Sequence, residues 1–229
     1  MNELLWLLFA ILNFLSIVAV YKLFGKTGLF AWIAVGTVIA NIQVTKTVEL
    51  FGLTATLGNI MYGTLFLATD ALNERYGLKD AKRAVYLGFF TMVSMVVIMQ
   101  VALLFTPGPD DFAHDALVTI FEVIPRIVLG SLTAYIVSQL LDVHLFQKIR
   151  SRYPSKGSLY LRNIGSTMLS QLVDSAIFVP IAFLGLYDTP VLLSILFTTY
   201  FIKLIVAVLD TPFIYLMQAI QPIDERPEA

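Results

Sequence analysis

Long apolar runs separated by short polar breaks set the organisation of this chain. A helix needs ~20 residues to cross ~30 Å of hydrocarbon. Leu4–Phe24, Thr54–Leu72, Ala84–Phe105, Leu117–Leu141, Ile164–Leu186 and Val191–Ile220 are long enough, and Gly28–Thr45 reaches that length with its flanks. The pattern predicts seven spans in an all-α polytopic membrane helical bundle. Only Tyr187–Pro190 separates the last two, so they form a helical hairpin. No long linker, low-complexity tract or repeat period interrupts residues 1–229, which read as one domain.

Polar residues inside these runs break the pattern informatively. Asp174 and Lys203 lie near the middles of the last two spans, each about fourteen residues from the connecting turn, or ~21 Å at ~1.5 Å rise per residue. A charge at the bilayer centre costs roughly 2.5–3.5 kcal/mol even on lenient scales. The two therefore nominate a site, where they pair or share a polar ligand. Further polar residues recur at helical spacing: Asn163, Thr167, Ser170 and Asp174 beside Gln171; Ser131, Tyr135, Ser138 and Asp142 beside Gln139; Thr199, Lys203 and Asp210; and Asn59, Tyr62, Phe66 and Asp70. Ser and Thr in such stripes commonly bond their own helix carbonyls or glue helices together. Asp70, Glu74 and Asp210 lie nearer span ends, where water reaches them. Arg126, with Glu122 one turn earlier, reads as a self-neutralising pair or a gate. Pro125, Pro180 and Pro212 interrupt three spans and invite kinks.

Composition agrees with the membrane class, with 58% hydrophobic and 14% charged residues. The distribution of Lys and Arg sets an orientation. Asn73–Arg83 and Asp142–Asn163 are basic, while Thr106–Asp115 carries Asp110, Asp111 and Asp115 without Lys or Arg. The basic loops belong on the cytoplasmic side, which puts the N-terminus outside and the C-terminus inside. The first span lacks a basic leader and cleavage site, so it is expected to remain as a helix. The absence of cysteine excludes disulfides, thiolate metal sites and cysteine nucleophiles. His114 and His144 fall in opposite loops, so no histidine metal site, and no metal or cofactor, is expected. No Gly-x-Ser-x-Gly, P-loop or HExxH pattern occurs, and the chain does not read as an enzyme.

The stretches ANIQVTK at Ala40–Lys46, LATDALNERYG at Leu67–Gly77, SQLLDVHLFQKIR at Ser138–Arg150, QLVDSAIFVPIAF at Gln171–Phe183 and YFIKLIVAV at Tyr200–Val208 resemble the queuosine precursor transporter family, also described as the vitamin uptake transporter family. The resemblance implies six core transmembrane helices over 28–220, an extra N-terminal helix over 1–27 and a cytoplasmic tail over 221–229. It implies uptake of 7-deazaguanine bases or queuine across the bacterial cytoplasmic (inner) membrane, without direct nucleic-acid binding. On that expectation Asp174 accepts the two N–H donors of the guanine-like edge and Lys203 faces the ring carbonyl or Asp174. Asn41, Gln171 and Gln139 add hydrogen bonds. Tyr62, Phe66, Tyr135, Phe178 and Tyr200 are candidate aromatic platforms. Asp70, Glu74, Arg126 and Asp210 are candidates for gating or coupling, with proton coupling and facilitated transport both open.

Two other functions fit the same pattern. One is the substrate-binding membrane subunit of a vitamin importer driven by separate ATPases, although no Ala-x-x-x-Ala coupling motif is present. The other is an intramembrane enzyme or assembly factor, which binding of a small heterocycle would distinguish. A homodimer is left open, since the first span has no Gly-x-x-x-Gly face.

Overall fold

The first two apolar runs form one 42-residue element, α1 (Asn2–Gln43), yet they are two membrane crossings. A straight helix of that length would reach ~63 Å, twice the hydrocarbon thickness. In the computed structural model, Gly25 adopts φ 55° and ψ −137°, a backbone state that glycine accepts without a Cβ penalty. The chain turns there: Gly28 comes against the Val20 carbonyl, and the Asn2 amide donates to the Glu49 carbonyl at 3.3 Å. The arms 2–24 and 26–43 thus run back to back. The described residues are 1–50, 53–121, 125–185 and 188–225.

A small antiparallel ribbon follows, β1 (Thr47–Leu50) paired with β2 (Leu53–Thr56), with Thr47 opposite Thr56. The expected span from Thr54 therefore begins later, as α2 (Gly58–Arg75). Then come α3 (Leu78–Leu103), the short α4 (His114–Phe121), α5 (Pro125–Arg152), α6 (Leu159–Phe183) and α7 (Thr189–Ala219). The expected crossing at Leu117–Leu141 divides between α4 and α5, and α5 continues eleven residues beyond Leu141. Asp142 and Asn163, read above as the limits of a basic loop, are consequently buried inside helices.

Five of the elements, α1, α3, α5, α6 and α7, contain windows long and apolar enough to cross a membrane. They explain α2, which is not among them. Helix α7 packs on α6, α6 on α5, α5 on α3, α3 on α1 and α1 on α7, which closes a ring, and α2 lies within it, touching all five. Nearly every α2 residue from Gly58 to Asn73 is buried. A helix shielded from lipid by its neighbours needs no apolar exterior, so it can carry polar residues all round. Close approach relies on small residues. Gly63 faces Val206 and Phe14, Gly36 faces Leu65, and Gly88 faces the Tyr135 hydroxyl, each without room for a Cβ. Phe14 and Phe213 stack at 4.9 Å and anchor the first arm on α7.

The two ends of the bundle differ. One gathers Lys26 with Asp80 at 2.6 Å, Tyr76 with Asp224, and Glu74 with Arg162 and Arg150. The other holds the β-ribbon and the link from α3 to α4, where the Gln100 amide donates to the Phe121 carbonyl.

Candidate functional site

The seams around α5 bring the polar stripes together. Helices α5 and α6 run antiparallel in a constant register: Ser138 donates to Asp174 Oδ1 at 3.0 Å, and Ser170 donates to Asp142 Oδ1 at 2.8 Å. Each helix gives one Ser and one Asp, a reciprocal latch one turn long. Helix α2 runs parallel to α5 at an offset of seventy residues, with Thr69 donating to Gln139 at 3.4 Å and Asn73 to the Val143 carbonyl at 2.9 Å.

The expected pair forms. Lys203 Nζ makes an ion pair with Asp174 Oδ2, with side chains only 9% and 12% exposed. The same ammonium lies 6.0 Å from the Tyr62 ring centroid, in range of a cation–π attraction. The Tyr62 hydroxyl lies beside Ser131 and Asn41. Asn41 Nδ2 donates to the Thr37 carbonyl and to Met92 Sδ, which leaves its Oδ1 without a partner. Gln139 Nε2, Gln171 Oε1, Ser175 Oγ and the Tyr135 hydroxyl are also buried and close no hydrogen bond among the described residues. Each such group left unmet costs about 1–3 kcal/mol. Buried polar atoms of this kind around an ion pair are what a polar ligand would satisfy.

The remaining candidates are distributed more widely. Phe66 is buried one turn along α2 from Tyr62. Phe178 packs edge-on against Phe183 at 5.7 Å and Tyr200 is half-buried. Arg126 opens α5 at the far end and donates to the Ile181 carbonyl at 2.7 Å and the Leu184 carbonyl at 2.5 Å, which caps α6. Its sequence neighbour Glu122 lies outside the described residues, and so does the pairing suggested for them. Glu74 is held at the basic end by Arg162 at 2.6 Å and Arg150 at 3.6 Å.

Asp70 and Asp210 belong to a second cluster, one to two turns from the pair toward the basic end. It contains Asp142, the residue that assigning sites from the sequence passed over. Asp70, Asp142 and Asp210 are fully buried, and Asp210 accepts from Asn163 Nδ2 at 2.6 Å. Among the described residues no three His, Cys, Asp or Glu side chains converge as metal ligands.

A closed ring of membrane-crossing helices around a lipid-shielded polar helix, with ionised groups at its centre, defines an integral membrane protein of the transporter class. A family model described as "Putative vitamin uptake transporter" matches residues 56–217. The chain belongs to that family. It is 52% identical to a "Probable queuosine precursor transporter" of Bacillus subtilis over 225 residues, covering 98% of both chains. It is 29% identical to the "Queuosine precursor transporter" of Escherichia coli K12 over 63% of this chain and 62% of that one. A Haemophilus influenzae relative named as a "Probable queuosine precursor transporter" is 28% identical over 58% of this chain and 54% of its own. No solved structure matches. The family and these relatives place the chain among transporters, not enzymes. The Bacillus relative aligns over almost the whole chain, so the N-terminal arm is no peculiarity of this sequence.

Proposed function

We propose that this protein takes up 7-deazaguanine precursors of queuosine across the bacterial cytoplasmic membrane and holds them between α2, α5, α6 and α7. The observation that carries this reading is the buried Asp174–Lys203 pair, together with buried polar atoms of α1, α5 and α6 that lack partners among the described residues. A deazaguanine presents two adjacent N–H donors, which one carboxylate can accept together, and a ring carbonyl that takes a bond from an ammonium. Asp174 meets the donors and Lys203 the carbonyl. Asn41 Oδ1, Gln171 Oε1 and Gln139 Nε2 have the acceptor and donor capacity left over for the other edges.

Tyr62 is the platform with the strongest support, because its ring already faces the Lys203 ammonium. Phe66, Tyr135, Phe178 and Tyr200 supply further aromatic surface in this reading. Asp70 and Asp210 act in coupling, while Glu74 and Arg126 hold the two ends that open in turn. The end bearing Glu74, Arg150 and Arg162 faces the cytoplasm by the positive-inside rule.

The test is the queuosine content of tRNA in cells that neither make nor import the precursors, fed a 7-deazaguanine base with and without this protein. Queuosine returns with the parent chain and not with Asp174→Asn. If it returns with neither although the protein reaches the membrane and the cells process the base, the substrate assignment is wrong.

A further inference from the structure

Among the described residues the three buried carboxyl groups of the second cluster form no ion pair. Asp70 extends from α2 toward Asp142 of α5, within hydrogen-bonding reach of it, and Asp210 of α7 and Glu74 of α2 are the other acids facing it. From α6 the cluster receives Ser170, Ser166 and Thr167 against Asp142, and Asn163 against Asp210. Arg162 and Arg150 are engaged on Glu74, and Lys203 on Asp174.

Among the described residues neither Asp70 oxygen accepts a hydrogen bond, and Asp142 Oδ2 and Asp210 Oδ2 also go without. The Thr167 hydroxyl, fully buried beside Asp142, and Asn163 Oδ1 are likewise unpartnered. Two carboxylates side by side in a dry interior cannot both stay ionised; one proton shared between them removes the repulsion and supplies the missing donor. The unpartnered Thr167 hydroxyl and Asn163 Oδ1 at its edge can accept hydrogen bonds as the proton moves between carboxyl groups.

We propose that Asp70 and Asp142 form a proton-binding pair that couples a proton to each substrate carried, with Asp210–Asn163 as the next station toward the basic end. This rests on the substrate reading above. The proton arrives from water, resides on one carboxyl oxygen as a donor to the other, and leaves to water on the far side. Only O–H bonds form and break. The link to the substrate is the α5–α6 latch, because Asp142 and Asp174 lie at its two ends, each holding a serine of the opposite helix. A ligand that claims Asp174 loosens one end, and loss of the proton draws Ser170 and Thr167 harder onto Asp142 at the other.

The experiment uses the full chain in proteoliposomes with labelled 7-cyano-7-deazaguanine. With an alkaline lumen, a pH difference of one unit drives up to ~10-fold accumulation of this neutral base by one-proton coupling. Asp70→Asn and Asp142→Asn are expected to exchange label between the two sides yet only equilibrate it, an accumulation ratio of one. A parent that exchanges the base but ignores the pH gradient overturns the proposal, and so does one that a sodium gradient drives instead. If the parent neither binds nor exchanges the base, the substrate reading fails separately. Infrared spectra of the same proteins then decide on the proton. A protonated-carboxyl C=O band in the parent at neutral pH that is lost in both variants upholds the pair, and no such band overturns it.

Discussion

Asp174 and Lys203 neutralise each other in a place where neither is tolerable alone. Removing one partner of a buried pair typically costs about 3–5 kcal/mol, whereas replacing both with apolar groups is often neutral. Asp174→Leu and Lys203→Met should each lower the thermal midpoint in detergent. The double variant should recover most of that loss while transporting nothing. Recovery of transport with stability would reduce the pair to a structural role. Tyr62→Leu removes the cation–π contact, worth roughly 0.5–2 kcal/mol, and should weaken substrate binding about 2- to 30-fold, while Tyr62→Phe should lose less. These central residues were legible in the sequence because a mid-membrane charge stands out against an apolar run. Asp142 was not, although its stripe with Ser131, Tyr135 and Ser138 was visible. It sits at the end of the apolar stretch, beside basic residues, and only the structure carries α5 on to Arg152 and places Ser170 opposite it.

At the scale of elements, hydropathy located the crossings and misplaced their ends. The runs Leu4–Phe24 and Gly28–Thr45 leave Gly25–Thr27 for the turn, and the helix needs only Gly25 to make it. Gly25→Ala puts a Cβ into the left-handed region, at a cost near 1–2 kcal/mol, and onto the Asp224 carboxyl that caps Lys26 N–H. It should lower the melting temperature with little effect on substrate affinity. Thr47–Thr56 carries the β-branched alternation of a hairpin, but its apolar second half merges with the following run and was absorbed into a span. The polarity of helix α2 fits a position shielded from lipid, and the packing of its neighbours that shields it cannot be seen along one chain. Arg126→Gln removes the charged cap from the Ile181 and Leu184 carbonyls. Faster hydrogen exchange in the last turn of α6 is the expected result, and unchanged exchange would contradict that role.

For the whole molecule, the proposed orientation follows from the separation of a basic end from an acidic one, and the missing cysteines make it easy to test. Asp110→Cys should react with an impermeant maleimide from outside intact cells, and Ser155→Cys only after the membrane is opened. The reverse pattern would invert the bundle and with it the direction assigned to transport. Ring and site belong together: five lipid-facing elements free α2 to be polar, and that polarity lies against the ion pair and the carboxyl cluster. The most direct measurement is equilibrium binding of 7-cyano-7-deazaguanine to the purified protein, parent against Asp174→Asn. Hydrogen bonds to a charged group contribute about 1.5–3 kcal/mol, so the variant should bind about 10- to 150-fold more weakly. Equal affinity in a folded variant would show that the buried pair does not hold the substrate.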